Sequence, residues 1–336
     1  ADRWAEQSAL RFFLTPDGFQ QSWDWSYREL GAEITQYANA FSALGLNSTD
    51  VVALILPNLP ETHFCIWGGE ASAVVMPLNP MLEAGQLAEL MRAAEVTALV
   101  TMAPQADAQL WAGLAAHLND VPSLEHLLLV DYRRYYSPDV PSSEHVLLKY
   151  NRLQVHVLAD LVARQPTDVR VGRQQIDSDS ASSYFCTGGT TGLPKIAVRT
   201  HGAEVFDAWA LSAALGVPGN GRTYFCGLPL FHVNAQLVTG LHVWMSGGEV
   251  ILGTPAGYRS EGLIPRFWDI VEHYGVNVFS GVPTIYASLL QQPRIAQIDT
   301  LEFAVCGAAP MPAELIRNFE AATGVRILEG YGLTEA

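Results

Sequence analysis

The sequence predicts an α/β protein built from two sets of mostly parallel strands flanked by helices. Three observations predict it. Short apolar runs alternate with longer segments of helical periodicity, the pattern of strand–helix–strand crossovers. Apolar residues make up 49% and charged residues 16% of the 336 positions, enough for two core-bearing units. The alternation also breaks over 131–180 and resumes at Ala181, which divides the chain into two sets.

The first clear element is a helix over 27–44. Leu30, Ile34, Tyr37, Ala38, Phe41 and Leu44 recur on one face at helical spacing. Ser26, with Glu29 three residues on, makes a capping box, and Gly45 supplies the stop. A strand over 51–56 follows and ends at Pro57. The alternation continues with a helix over 61–71, a strand over 73–76 and a helix over 85–94. A strand over 97–101, a helix over 107–118 and a strand over 124–130 complete the first set. Beyond it, Arg133-Arg134-Tyr135-Tyr136 and the Pro/Ser positions 138, 141, 142 and 143 read as a surface loop. One short helix falls over 155–164. Strands of the second set fall over 181–186, 196–199, 223–226, 250–252, 276–279, 303–306 and 326–328, with helices between most of them. No repeat of fixed period is visible.

The formal net charge of −15 argues against nucleic acid and against docking to an anionic membrane. Cys65, Cys186, Cys226 and Cys306 each sit in an apolar stretch with no C-x-x-C spacing, which reads as reduced thiols in a cytoplasmic protein. No apolar run approaches the ~20 residues of a membrane span, and no signal peptide is present.

The most informative segment is Thr187-Gly188-Gly189-Thr190-Thr191-Gly192-Leu193-Pro194-Lys195, just after a strand signal. Its glycines let the backbone approach a ligand, and successive N–H groups can form a concave nest for an anion. The threonines add hydroxyl donors and Lys195 adds charge, so the loop is suited to phosphate. It is not a Walker A loop, because Leu193 and Pro194 separate Gly192 from Lys195. It does not have the G-x-G-x-x-G spacing either. Downstream come Pro229-Leu230-Phe231-His232-Val233-Asn234-Ala235 and Gly281-Val282-Pro283-Thr284. Gly307-Ala308-Ala309-Pro310 follows a strand, and Glu329-Gly330-Tyr331-Gly332-Leu333-Thr334-Glu335 closes the chain. Small residues at a strand's carboxyl end leave room for a flat ligand beside the backbone.

In this order, these segments resemble the acyl-adenylate-forming enzymes. That superfamily holds acyl-CoA synthetases, aryl-CoA ligases, luciferases and the adenylation domains of peptide synthetases. Pro57-Asn58 and Pro77-Leu78-Asn79-Pro80 also look like early segments of that family. The resemblance implies αβαβα layering and a single large N-terminal AMP-binding domain over 1–336, with interleaved subdomains near 1–180 and 181–336. It implies that a small C-terminal domain, with its catalytic lysine, and an Asp for the ribose lie outside the chain.

The resemblance also implies roles. Thr187, Gly188, Gly189, Thr190, Thr191 and Gly192 would donate to the β- and γ-phosphates of ATP, with Lys195 adding charge. Phe231, His232, Val233 and Asn234 would line the carboxylate pocket, opposite Gly281, Val282 and Pro283. Trp209, Trp244 and Ile285 are further candidates for its wall. Gly307, Ala308 and Ala309 would carry adenine together with Glu329, Gly330, Tyr331 and Gly332, the tyrosine stacking on the base. Thr334 would reach the α-phosphate. Glu335, with Thr190, would hold Mg²⁺. Lys195, Thr190, Thr191, His232 and Glu335 are the expected catalytic set.

The expected activity joins a carboxylic acid to CoA through an acyl-AMP, with ATP and Mg²⁺. The partners are small molecules, with no nucleic acid and no transmembrane segment, and a homodimer is left open. An adenylating enzyme with a carrier-protein or oxygen acceptor is the alternative, beside a non-catalytic nucleotide- or acyl-binding module. Gly188-Gly189 in place of the common Ser-Gly, and the 231–234 segment, look closer to CoA ligases. Whether the acid is fatty or aryl is not legible.

Overall fold

The computed structural model describes residues 2–137, 152–172, 175–187, 194–216, 221–293 and 297–335. In chain order come β1 (Ser8–Phe13), β2 (Trp23–Ser26), α1 (Tyr27–Ala43), β3 (Val51–Ile55), α2 (Pro60–Glu70), β4 (Val74–Pro77) and α3 (Ala84–Ala93). Next are β5 (Val96–Met102), α4 (Ala108–Leu114), β6 (His126–Val130), β7 (Gln154–Val157), α5 (Leu158–Val162), β8 (Ala181–Cys186) and β9 (Ile196–Thr200). Then follow α6 (His201–Ala214), β10 (Thr223–Cys226), a π-helix (Asn234–Leu241), α7 (His242–Met245), β11 (Glu249–Gly253) and α8 (Leu263–Tyr274). The chain finishes with β12 (Val278–Gly281), α9 (Pro283–Leu290), β13 (Phe303–Cys306), α10 (Ala313–Thr323) and β14 (Arg326–Glu329).

Two compact units result, one of residues 31–202 and one joining 1–30 to 203–334. The first holds a seven-stranded sheet in the order β7-β6-β5-β3-β4-β8-β9, parallel except for the β8–β9 pair. Its strands β3 to β6 are buried on both faces, which is why they read as nearly continuous apolar runs. Val51, Ile55, Met76, Leu90, Leu99 and Leu127 belong to one core cluster. In α2, a Cβ at Gly68 would stand 2.7 Å from the Tyr37 Cβ, so glycine there lets α2 pack directly on α1.

The second unit holds another seven-stranded sheet, ordered β14-β13-β12-β10-β11-β1-β2 and parallel except for β1–β2. Its core is rich in aromatic side chains. Phe225, Phe267, Phe279, Tyr286 and Phe319 are all fully buried, with edge-on contacts such as Phe267–Phe279 at 5.0 Å. His242 is also buried here. Its ring nitrogens lie 2.9 Å from the Ser212 hydroxyl and 3.1 Å from the Tyr224 hydroxyl, and burial lowers its pKa to about 4.

The α/β class and the flanked, mostly parallel sheets expected from sequence are present. The Ser26–Glu29 box forms: the Ser26 N–H donates to the Glu29 carboxylate at 2.8 Å, and the Glu29 N–H donates to the Ser26 hydroxyl at 3.2 Å. Gly45 ends the helix with φ at 86°.

Four expectations differ from the structure. Strands β1 and β2 precede the first element expected, and β1 pairs in parallel with the distant β11. The helix expected over 155–164 is half strand: β7 extends the sheet beside β6, and only Leu158–Val162 is helical. The segment near Arg134 is not a free surface loop. Tyr132–Tyr135 forms a short 3₁₀ turn, the Arg134 guanidinium lies 2.7 Å from the buried Glu61 carboxylate, and the Tyr135 hydroxyl donates to Glu61 at 3.0 Å. The division near 180/181 also moves, because β8 pairs with β4 and carries β9 with it into the 31–202 sheet.

Candidate functional site

Strands β12, β13 and β14 lie side by side and parallel, with Gly281 in register with Cys306 and Cys306 with Glu329. Each ends on a glycine. Gly281 closes β12, and Gly307 and Gly330 follow β13 and β14. The Gly307 N–H donates to the Gly281 carbonyl at 3.4 Å and the Gly330 N–H to the Cys306 carbonyl at 2.8 Å, so the ladder continues through them. A Cβ at Gly330 would meet nothing nearer than 3.9 Å, and one at Gly307 nothing nearer than 3.4 Å. The carboxyl edge of β13 and β14 is therefore a strip of bare backbone, whereas a Cβ at Gly281 would stand 3.2 Å from the Tyr286 ring. Such edges are where open α/β sheets take ligands.

The turn after β13 borders this strip. Ala308 holds a left-handed backbone with φ at 67°, a strained conformation for a residue with a Cβ. Ala308, Ala309 and Pro310 are exposed. The Glu329 carboxylate accepts the Met311 N–H at 3.1 Å, which ties the turn to the end of β14. Tyr331 comes next after Gly330, and its side chain is 93% exposed. A phenol ring beside bare backbone offers an open face on which a second flat ring can stack. Gly332 and Glu335 are exposed and Thr334 is half-buried.

The segment from Pro229 to Val233 leaves β10 and feeds the π-helix. The His232 N–H donates to the Pro229 carbonyl at 3.0 Å, and the buried Gln236 amide donates to the Leu230 carbonyl at 2.8 Å. π-Helical turns are uncommon and recur at functional sites. Phe231 is nearly buried, with its ring 4.6 Å from that of His232. The His232 ring keeps access to solvent. Loss of water around it, and secondarily the Arg259 charge, lower its pKa, so it is neutral at pH 7 and able to donate or accept. Val233 and Asn234 are half-buried. The Asn234 amide oxygen accepts from the Ser280 hydroxyl at 2.9 Å, and its nitrogen lies 3.4 Å from where a Gly307 Cβ would stand. The structure thus brings Asn234, Gly281, Gly307 and Gly330 together.

Val282 and Pro283 open α9, with proline in its first turn, and both are half-buried beside Gly281. Ile285 packs on the aromatic core. Of the two tryptophans expected in the pocket wall, Trp244 is placed otherwise. Trp244 is buried and donates its indole N–H to the Ala9 carbonyl at 2.8 Å, which pins β1. Trp209 is 57% exposed on α6.

The phosphate-suited loop connects β8 to β9 as a hairpin. Cys186 pairs with Ile196, and the Thr187 N–H donates to the Lys195 carbonyl at 2.9 Å. Lys195 is exposed. Gly188, Gly189, Thr190, Thr191 and Gly192 lie outside the described residues. Among the described residues no group of three or more His, Cys, Asp or Glu side chains gathers to hold a metal. The single carboxylate of Glu335 suits a hard ion that shares its remaining coordination with phosphate oxygens. Ser280 is absent from the sequence reading, although a hydroxyl inside the apolar run 276–279 extended to Gly281 was the available signal.

Three comparisons with known proteins bear on this geometry. The profile of the AMP-binding enzyme family matches residues 1–336. The marinolic acid–CoA ligase of Pseudoalteromonas sp. (strain SANK 73390) is 35% identical over 316 residues, covering 93% of this chain and 46% of that protein. The long-chain-fatty-acid–CoA ligase of Bacillus subtilis (strain 168) is 25% identical over 334 residues, covering 93% and 55%. The chain spans about half the length of the curated relatives it matches. The anthranilate CoA ligase AuaEII, solved with anthranoyl-AMP, superposes with a TM-score of 0.80 at 22% identity, covering 99% of this chain and 58% of that one, which shows the shared fold.

Proposed function

From the premise that this chain belongs to the AMP-binding enzyme family, we propose that its protein is an acid–CoA ligase. A carboxylate attacks the α-phosphorus of ATP, giving an acyl-adenylate and pyrophosphate. The CoA thiol then takes the acyl group and AMP leaves. The observation that carries this reading is the bare carboxyl edge of β13 and β14 with Tyr331 exposed beside it, a cradle that side chains would otherwise fill. That edge seats the adenine ring, and Phe231, His232, Val233, Asn234, Gly281, Val282 and Pro283 surround the acid.

The first step needs charge neutralised on crowded phosphates and the carboxylate held in line. The Thr187–Gly192 loop and Lys195 serve the phosphates. Thr334 reaches the α-phosphate, and Glu335 with Thr190 would hold Mg²⁺, which would supply neutralising charge when bound. His232, neutral at pH 7, orients the carboxyl group without pairing with it as a cation. The relatives' names support CoA as the acceptor and span aliphatic and aryl acids.

No helix of the described residues is long and apolar enough to cross a membrane. The four cysteines are unbridged, which supports a reducing cytoplasm. A homodimer is a separate expectation, read by light scattering.

The test is acid-dependent exchange of pyrophosphate into ATP by the full-length protein, over a panel of aliphatic and aryl carboxylic acids, followed by thioester formation on adding CoA. Exchange with at least one acid is expected. Absence of exchange across the panel would remove the reading.

A further inference from the structure

Strand β12 reads Val278-Phe279-Ser280-Gly281, and its serine is 1% exposed among apolar neighbours. An apolar residue would fill that position without needing a partner, whereas a buried hydroxyl must be paired. Ser280 gives its proton to the Asn234 amide oxygen at 2.9 Å, while its backbone carbonyl accepts the Tyr258 hydroxyl at 3.0 Å. Strand position and hydroxyl direction are both fixed.

An asparagine amide has an acceptor end and a donor end, and which end faces a ligand depends on what holds the other. Here the oxygen end is committed to Ser280, so the NH₂ end is turned toward Gly307. The Gly330 carbonyl borders the same space, 3.7 Å from the ideal Gly307 Cβ, and favours an N–H over a second oxygen. Among the described residues no acceptor takes the Asn234 NH₂.

We infer that Ser280 is a positioning residue: it locks Asn234 with its N–H donors facing the bare strand edge, so that Asn234 donates to a carboxyl oxygen of the acid. This rests on the acid–CoA ligase reading. Asn234 lies two residues beyond His232 in the segment lining the acid, and a carboxylate is the strongest acceptor the reaction brings there.

The experiment measures pyrophosphate exchange by the full-length protein in wild type, Ser280→Ala, Asn234→Ala and the double variant. Asn234→Ala should raise the acid KM ~10-fold, and Ser280→Ala by ~3–5-fold, the scale of one hydrogen bond lost and one loosened. The double variant should match Asn234→Ala alone, because Ser280 acts only through Asn234. Ser280→Thr, which keeps the hydroxyl, should recover most of the loss. The ATP KM should stay within about twofold throughout. Multiplying effects in the double variant, or a rise in ATP KM in place of acid KM, would overturn the inference.

Asn234→Asp leaves β12 intact and sets a carboxylate against the substrate carboxylate. It should raise the acid KM by ~10², and an unchanged value would equally overturn the inference. Wild type without acid-dependent exchange would instead remove the ligase reading itself.

Discussion

Replacing Gly330 with alanine separates the seat of a ligand from a packing position. The perturbation adds one carbon about 1.5 Å from the backbone. No protein atom lies within 3.9 Å of that carbon, and the Gly330 backbone lies outside the left-handed region. The fold therefore accommodates it, and stability should rise by ~0.4–1 kcal/mol as the unfolded chain loses freedom. Activity should move the opposite way. A methyl standing on the bare edge shifts a flat ring by about 1 Å, and misplacement on that scale costs ~10²-fold in rate. Gly307→Ala should behave alike, with its Cβ 3.4 Å from the Asn234 nitrogen. The assay is a thermal melt paired with ATP titration of pyrophosphate exchange in the full-length protein. Gly221→Ala is the contrast: φ is 71° and its Cβ would stand 2.1 Å from the Gly247 carbonyl oxygen, so stability should fall. If Gly330→Ala melts like wild type and keeps both ATP KM and rate, no ligand sits on that edge.

Lys195→Ala should lower adenylation by at least ~10²-fold, the scale of a lost preorganised charge, with an unchanged melt because the side chain is exposed; near-normal exchange at saturating ATP would count against the loop's role. Glu335→Gln should weaken the Mg²⁺ dependence of exchange more than the acid KM, and an identical Mg²⁺ titration would make the residue structural. His63 and His242 have pKa values lowered by burial to about 3 and about 4, from 6.5. The unfolded chain thus binds more protons below pH 6.5, and stability falls as pH drops from 6.5 toward those values. At pH 5.5 each costs about 1.4 kcal/mol relative to pH 8, and denaturant melts of wild type and His242→Gln should show the variant losing less between the two.

Much of the fold was legible because periodicity carries it. Strands β3 to β6 announce themselves as apolar runs, and α1 as a capped amphipathic stripe. Strand β7 was misread because Gln154–Val157 is an edge strand with no buried residue, so its pattern is too weak to separate from the helix that follows. Strand β1 was missed for another reason. Its parallel partner β11 lies ~240 residues further along the sequence, and local pattern cannot announce a distant pairing. At the candidate site, Gly307, Gly330 and Tyr331 stood out because nothing about packing requires them. Ser280 did not, since a serine becomes informative only when its hydroxyl is seen to end on Asn234.

The pairing of Leu10 with Val250 and Phe12 with Leu252 sets an order of events during synthesis. Residues 31–202 form a contiguous stretch and can close their sheet as soon as they leave the ribosome. The strand Ser8–Phe13 emerges before that stretch but has its parallel partner only ~240 residues later, on the order of tens of seconds at ordinary elongation rates. Throughout that interval Leu10, Phe12 and Phe13, all fully covered in the finished protein, remain without their native cover. This strand is thus made well before it is protected, and it is where a holdase chaperone would do the most to prevent misassembly.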